Sequence, residues 1–301
     1  MESKIVRSTL VELGRNLPFG IEAGGKRDRS FSFKEWHYRD ETFVDEARMR
    51  CAKADLNDAR FASELLAHFV TKWGPFDFGP LTQEERIVRL EASKVGDILT
   101  AWIWLRIDAL GPEMPIRVIC PACGSGIERV GDLHVVDVMY LPPDCSSKEA
   151  SIVVNLPNGV PWVHKQKGPF MARKVLLEPA AWMGLASIRG GAGIEERIGA
   201  GLAASIRALD DEPVSLTGQA LASLPKRDLM ILTHALAERA IGPILEIHAE
   251  CGAVQGKNPD GSPKTCPQVV RQLLTWSHNP FFMELPSSVI SQAFETVAVN
   301  S

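Results

Sequence analysis

Six cysteines occur in the 301 residues, and four of them have the setting for metal chemistry. Cys120-Pro121-Ala122-Cys123-Gly124 follows the apolar run Ile116-Arg-Val-Ile119 and has the form of a zinc knuckle. In such a turn two thiolates clip one ion, and the glycine lets the chain turn tightly beneath it. A second, poorer version lies downstream, where Ile244 to Gly252 ends in Cys251-Gly252 and Cys266-Pro267 follows a loop later. Tetrahedral zinc needs four ligands, so Cys120, Cys123, Cys251 and Cys266 together would complete one site. Four thiolates leave no open position for water or substrate. Such a zinc is structural: it binds two parts of the chain together and contributes directly to folding. The alternative is that one or both pairs hold no metal, with Cys251 and Cys266 serving as small apolar residues or loop thiols.

Other groups with chemical potential carry less. Cys51 falls within a helical pattern and reads as core, and Cys145 falls in a polar linker and reads as incidental. His134 and His248 lie near the cysteines and could replace a ligand, although a structural histidine is the simpler reading of each. Gly190-Gly-Ala-Gly193 precedes a helix but lacks the Lys-Ser or Lys-Thr of a phosphate-binding loop. His248-Ala-Glu250 matches half of the zinc-deaminase signature, yet it stands after Cys120 and Cys123 and abuts Cys251, which is the wrong order. Neither a Gly-x-Ser-x-Gly elbow nor a His-Glu-x-x-His helix occurs. The chain is therefore expected not to be an enzyme.

A formal net charge of −4 gives no general attraction to nucleic acid or to an anionic membrane. No apolar run is long enough to span a bilayer, and Met-Glu-Ser-Lys opens no signal-peptide pattern. A soluble, cytosolic protein is expected, in a reducing setting that favours metal over cystine.

The positioning elements follow from periodicity and punctuation. Leu17-Pro-Phe-Gly-Ile21, Ala23-Gly-Gly-Lys-Arg27 and Ser30-Phe-Ser-Phe33 predict a hairpin, with Lys26 to Arg29 as a solvated basic turn. Helices are expected over Asp40–Ala54 and Asp58–Trp73, then after the capping box Thr82-Gln-Glu-Glu85. A strongly apolar helix carrying Trp102 and Trp104 runs to the stop at Gly111-Pro112. Pro115 to Leu133 is then a hairpin turned by the cysteines, and Val135 to Leu141 is extended. Pro142 to Glu149 is the best linker, which divides the chain into domains at 1–143 and 150–301. In the second, Ser151–Leu156 and Val160–His164 flank a hairpin turn at Pro157-Asn158-Gly159, and Ala172–Leu177 is a third strand. Helices are expected over Ile194–Leu209, from Pro225 to Ile241, over Val269–Trp276 and over Ser287–Val297. The fold class is α+β, built as two small helix-plus-strand units.

One constant offset aligns Asp97 with Asp228, Leu105 with Leu236, Gly111-Pro112 with Gly242-Pro243, Ile116 with Ile247 and Cys120 with Cys251. This reads as an internal repeat that is degenerate at the second cysteine turn, where Val254 aligns with Cys123 and Cys266 stands in from across the loop.

The order of these parts resembles the T-even-type phage baseplate hub and tail-assembly protein family, whose members also occur in phage-like contractile injection systems. The resemblance is carried by Leu17-Pro-Phe-Gly20, Phe31-Ser-Phe33 with Asp40-Glu41 after it, and Val118-Ile-Cys-Pro-Ala-Cys-Gly124 with its strand to Asp132-Leu133. In the second half it is carried by Leu216 to Asp228 and by Cys251-Gly252. The likeness spans most of the chain, and Cys-Pro-x-Cys-Gly is its one sharp motif. The sequence departs from the pattern at Glu250-Cys251-Gly252, which lacks its partner cysteine.

The resemblance implies a non-enzymatic structural or assembly role in a contractile-tail baseplate. The implied partners are hub, spike, tube or wedge proteins. Neither a membrane nor a nucleic acid is implied, and the setting is the host bacterial cytoplasm or the virion tail. Burial in such an assembly would suit exposed aromatics such as Phe281-Phe282. The alternative, a nucleic-acid-binding zinc ribbon, expects basic and aromatic residues around the knuckle. Here the knuckle carries only Arg117 and Arg129.

Overall fold

The computed structural model describes residues 4–164, 168–188, 194–216, 218–221 and 224–273. In the first half, β1 (Val6–Thr9) leads into one helical turn, α1 (Leu10–Leu13), closed by a Thr9–Glu12 capping box. Next come β2 (Asn16–Ala23) and β3 (Lys26–Phe33), the expected hairpin, with Gly24 and Gly25 at positive φ in its turn. α2 (Asp40–Lys53) and α3 (Asp58–Phe69) follow. The helix expected to reach Trp73 ends at Phe69. β4 (Val70–Trp73) then pairs with β3 on one side and β5 (Phe76–Asp77) on the other. Leu65, Leu66, Phe69, Val70 and Trp73 are all buried as expected, so one apolar stripe passes from helix into strand. The β-branched pair Val70-Thr71 suits that change. α4 (Gln83–Glu91) starts at the predicted Thr82–Glu85 box, and α5 (Val95–Leu110) stops at Gly111, whose φ is 86°. β6 (Glu113–Ile119) and β7 (Gly126–Asp132) form the cysteine hairpin, and β8 (Asp137–Tyr140) returns to pair with β1.

The second half opens with β9 (Ile152–His164), which pairs along its length with β10 (Gly168–Leu177). The turn expected at Pro157-Asn158-Gly159 is instead a bulge within one long strand. α6 (Met183–Ala186) and α7 (Ile194–Ser205) follow. The helix expected to reach Leu209 yields to β11 (Ile206–Leu209) and its short partner β12 (Glu212–Pro213). α8 (Gly218–Leu221), α9 (Lys226–Glu238) and β13 (Gly242–Pro243) lead to β14 (Glu246–Glu250), then β15 (Val254–Lys257), β16 (Pro263–Thr265) and β17 (Val269–Leu273). Val269–Leu273, expected as helix, is a strand paired antiparallel to β14. The alternation of Val270 inward with Val269 and Arg271 outward accounts for it. The Ser287–Val297 expectation, Phe281-Phe282 and Gly190–Gly193 lie outside the described residues.

The architecture is mixed helix and strand, centred on two four-stranded antiparallel sheets ordered β2-β3-β4-β5 and β9-β10-β11-β12. Each first strand bulges at Leu-Pro-x-Gly. Asn16 pairs with Ser30 and Ile21 with Asp28, so Leu17 to Gly20 oppose Arg29 alone. Asn155 pairs with Lys174 and Val160 with Ala172, so Leu156 to Gly159 oppose Arg173 alone. Gly20 and Gly159 both adopt φ of 85°, and a Cβ at Gly159 would stand 2.8 Å from Ala172 O. The bulge amides are taken by a fully buried aspartate from a helix below. Asp97 accepts from Phe19 N at 2.7 Å and Gly20 N at 3.1 Å, and Asp228 accepts from Asn158 N at 3.1 Å and Gly159 N at 2.9 Å.

The larger core runs from Leu10 to Val138 and also takes in Trp182, Ala186 and Ile247 from the second half; a second core spans Val154 to Ala235. Trp182 is 0% exposed and donates from Nε1 to Ser63 Oγ at 2.9 Å. β13 pairs with β8, and Gly96 at the start of α5 lies against it: a Cβ there would fall 2.0 Å from Ile241 O. The basic turn at Lys26–Arg29 is not the solvated cluster expected. The Arg27 side chain is 4% exposed and donates to Pro142 O and Cys145 O, while Arg29 donates to Leu17 O and covers the Tyr140 ring. These carbonyls belong to turns and a bulge with no ladder partner of their own, and the guanidinium fork suits them.

Candidate metal centre

Each cysteine pair is set by a short ribbon. At the end of β6, Cys120 N donates to Ser125 O at 2.9 Å and Gly124 N to Cys120 O at 2.8 Å, with Gly124 at φ 72°. At the end of β14, Cys251 N donates to Gln268 O at 2.9 Å. Ser125 lies two residues after Cys123, and Gln268 lies two residues after Cys266, so the two turns bond alike. The difference is that β15 and β16, an exposed hairpin of polar sequence, are spliced between Cys251 and Cys266. The missing partner of Cys251 is therefore Cys266. Cys266 N closes the splice by donating to Ala253 O at 2.9 Å, and Gly252 N donates to Cys266 O at 3.2 Å.

The ribbons pack face to face over Ile127, Val270 and the cysteines, with Ile116 and Ile247 beneath. Gly131 makes room: a Cβ there would stand 2.7 Å from Ile247 Cγ2 and 2.9 Å from Ile116 Cδ1. Arg117 N donates to Gln272 Oε1 across the interface at 2.8 Å.

This stacking brings Cys120, Cys123, Cys251 and Cys266 together, with their four Sγ atoms all within 4.8 Å of one another. Cys123 Sγ is 3.6 Å from Cys251 Sγ, and Cys120 Sγ is 3.9 Å from Cys266 Sγ. A Zn–S bond of about 2.3 Å implies tetrahedral sulfur–sulfur edges of about 3.8 Å. The spacing and the soft, all-sulfur donor set fit a zinc-sized ion.

The electrostatics agree. Hydrogen bonds from Ser125 pull the Cys123 thiol down to about 6. Cys251, although it accepts from the Ala253 amide, is pushed up to about 12 by burial and by its neighbouring thiols. Cys266 accepts from the Gln268 amide and is raised for the same reasons. Four crowded sulfurs cannot all ionise unless a cation offsets their repulsion. The amides at Ser125, Ala253 and Gln268 are placed to stabilise bound thiolates.

No family model, curated protein or solved structure matches the chain.

The remaining candidates lie elsewhere. His134 ion-pairs with Asp132 beside Trp104, and His248 is exposed on β14 next to Glu246, so neither joins the sulfurs. Cys51 is core, as expected. Cys145 is not incidental: it is 6% exposed in a small cluster with Phe19, Leu141, Ala150 and Ile241. A cavity of about 960 Å³ between α6, α7 and α8 is lined by small and aliphatic side chains, with Glu196 and Arg207 its charged groups. Among the described residues no helix is long and apolar enough to cross a membrane. The paired Leu-Pro-x-Gly bulges went unread in the sequence, although Leu17-Pro-Phe-Gly20 and Leu156-Pro-Asn-Gly159 are legible there as one motif written twice.

Proposed function

We propose that this chain is a non-enzymatic structural or assembly protein made of two copies of one α+β unit, held together by a shared structural zinc. The observation that carries this is the ligand set: two thiols from each half lie within 4.8 Å of one another, enough to supply all four ligands of a tetrahedral ion. A site so closed has no place for a reacting water or substrate. The metal's contribution is to fix the two ribbons against each other, with Cys120 and Cys123 holding one side and Cys251 and Cys266 the other.

Duplication is supported by matched local solutions. Each half has a four-stranded antiparallel sheet, a Leu-Pro-x-Gly bulge under a buried aspartate and a cysteine ribbon. Repeats arranged this way bury faces that a single copy would leave open.

For the setting we propose the baseplate or hub of a phage-type contractile tail, with hub, spike, tube or wedge proteins as partners. Support for the setting comes from the sequence resemblance. The test is affinity purification of the tagged protein from cells making contractile tails under its own gene neighbourhood. Baseplate components are expected to copurify in defined ratio. A persistent monomer, encoded with no tail genes beside it, would overturn the setting. Elemental analysis should find one zinc per chain.

A further inference from the structure

The two short sulfur–sulfur approaches, Cys123–Cys251 at 3.6 Å and Cys120–Cys266 at 3.9 Å, each take one sulfur from each ribbon. A disulfide needs sulfurs about 2.05 Å apart, so each pair must close by less than about 2 Å once no ion separates them. Within a ribbon, the backbone bonds Gly124 N to Cys120 O and Gly252 N to Cys266 O close each turn. Three of the sulfurs are buried, and Cys123 alone is partly exposed.

We propose that the cluster is also a thiol-oxidation site, in which a peroxide-class oxidant replaces the metal by two disulfides across the halves, Cys123–Cys251 and Cys120–Cys266. This rests on the zinc reading above. The accessible Cys123 sulfur attacks the peroxide: an S–O bond forms, the O–O bond breaks, and the leaving hydroxide takes a proton to become water. The Cys251 sulfur then attacks the resulting sulfenic acid, forming S–S and releasing the oxygen as a second water after protonation. The second pair follows the same course. Four thiolates, two peroxides and four protons give two disulfides, four waters and free Zn²⁺, with each peroxide taking two electrons. Oxidation on this route does not release the halves. It exchanges a metal link for a covalent one at the same place.

The experiment uses the full chain, reduced, with zinc content measured first. Hydrogen peroxide is added, zinc release is followed with a chromogenic chelator, and the unreduced digest is mapped by mass spectrometry. Zinc should leave as Cys123–Cys251 and Cys120–Cys266 peptides form in equal amounts. Cys123→Ser should yield only the Cys120–Cys266 link. Dominant Cys120–Cys123 or Cys251–Cys266 links, or Cys123 driven to sulfinic acid without any disulfide, would overturn the proposal. A reduced protein without zinc would defeat the metal reading alone, because the same digest still decides the pairing.

Discussion

Asp97→Ala is the sharpest probe of the bulge and its aspartate. The carboxylate is fully buried and takes the Phe19 and Gly20 amides. Removing it orphans two buried donors, each worth about 1–3 kcal/mol, so a loss of about 2–6 kcal/mol is expected where the carboxyl is neutral. Burial, outweighing those amides and the nearby Arg29 and Lys94, pushes the Asp97 carboxyl up to about 6. The unfolded chain titrates near 4, so the folded state holds this proton more tightly. The group's contribution is therefore full below about pH 4, falls as pH rises to about 6, and is flat beyond. The cost of Asp97→Ala should accordingly be about 1 kcal/mol smaller at pH 7.5 than at pH 5. Urea unfolding of the variant beside the parent, at both pH values, measures this. Hydrogen exchange over residues 16–23 should lose its protection at Phe19 and Gly20. A cost that fails to shrink between pH 5 and pH 7.5, or unchanged protection at those amides, would refute the reasoning. Asp228→Ala should deprotect Asn158 and Gly159 in the same manner, and an effect in one half only would count against duplication.

Stripping zinc with a strong chelator, or making Cys266→Ser, should lower Tm by more than about 10 °C, since structural zinc contributes on the order of 10 kcal/mol in small metal domains; calorimetry with and without added zinc decides it. Trp182→Ala should cost about 3–5 kcal/mol by emptying a site in the first core from the second half, and Trp182→Phe should recover part of that while leaving Ser63 without its donor. Asp40 provides an acid-side test. Burial works to raise its carboxyl, but His68, the His37 amide and Lys34 outweigh burial and hold it well below the usual carboxylate range. Its folded pKa is thus depressed, so its contribution is present above about pH 4 and is lost as pH falls below that. Asp40→Asn should be less stable than the parent at pH 7, with the gap closing in acid unfolding below about pH 4.

Much of the site was readable because metal ligands are punctuated locally. Cys120-Pro-Ala-Cys123-Gly124 between two apolar runs specifies a turn, and the four thiols expected together do cluster. What the sequence hid was the continuity of the second ribbon. The β15–β16 splice moves Cys266 away from Cys251 along the chain but not in space; Cys266 was readable as the substitute thiol, and the shared bond pattern to Ser125 and Gln268 shows that it closes a turn of the same form. The helix ends at Phe69 and Ser205 were missed for a common reason. Apolar stripes run past both, and the choice of strand is made by pairing with β3 and β10, which periodicity within one segment cannot register. Asn158-Gly159 carries the signature of a hairpin turn, but here the glycine serves a bulge instead. Arg27 and Arg29 looked solvated because their carbonyl partners are distant in sequence or lie in the bulge.

The ligand order along the chain has a consequence in time. Cys120 and Cys123 leave the ribosome early and can offer only half a coordination sphere while the second half is still being made. Cys251 adds a third thiol, and the cluster is complete only when Cys266 follows. Any product that stops short of Cys266 lacks one of the four clustered thiols and leaves β14 without its partner β17. Completion of the cluster thus marks a chain whose synthesis has passed Cys266.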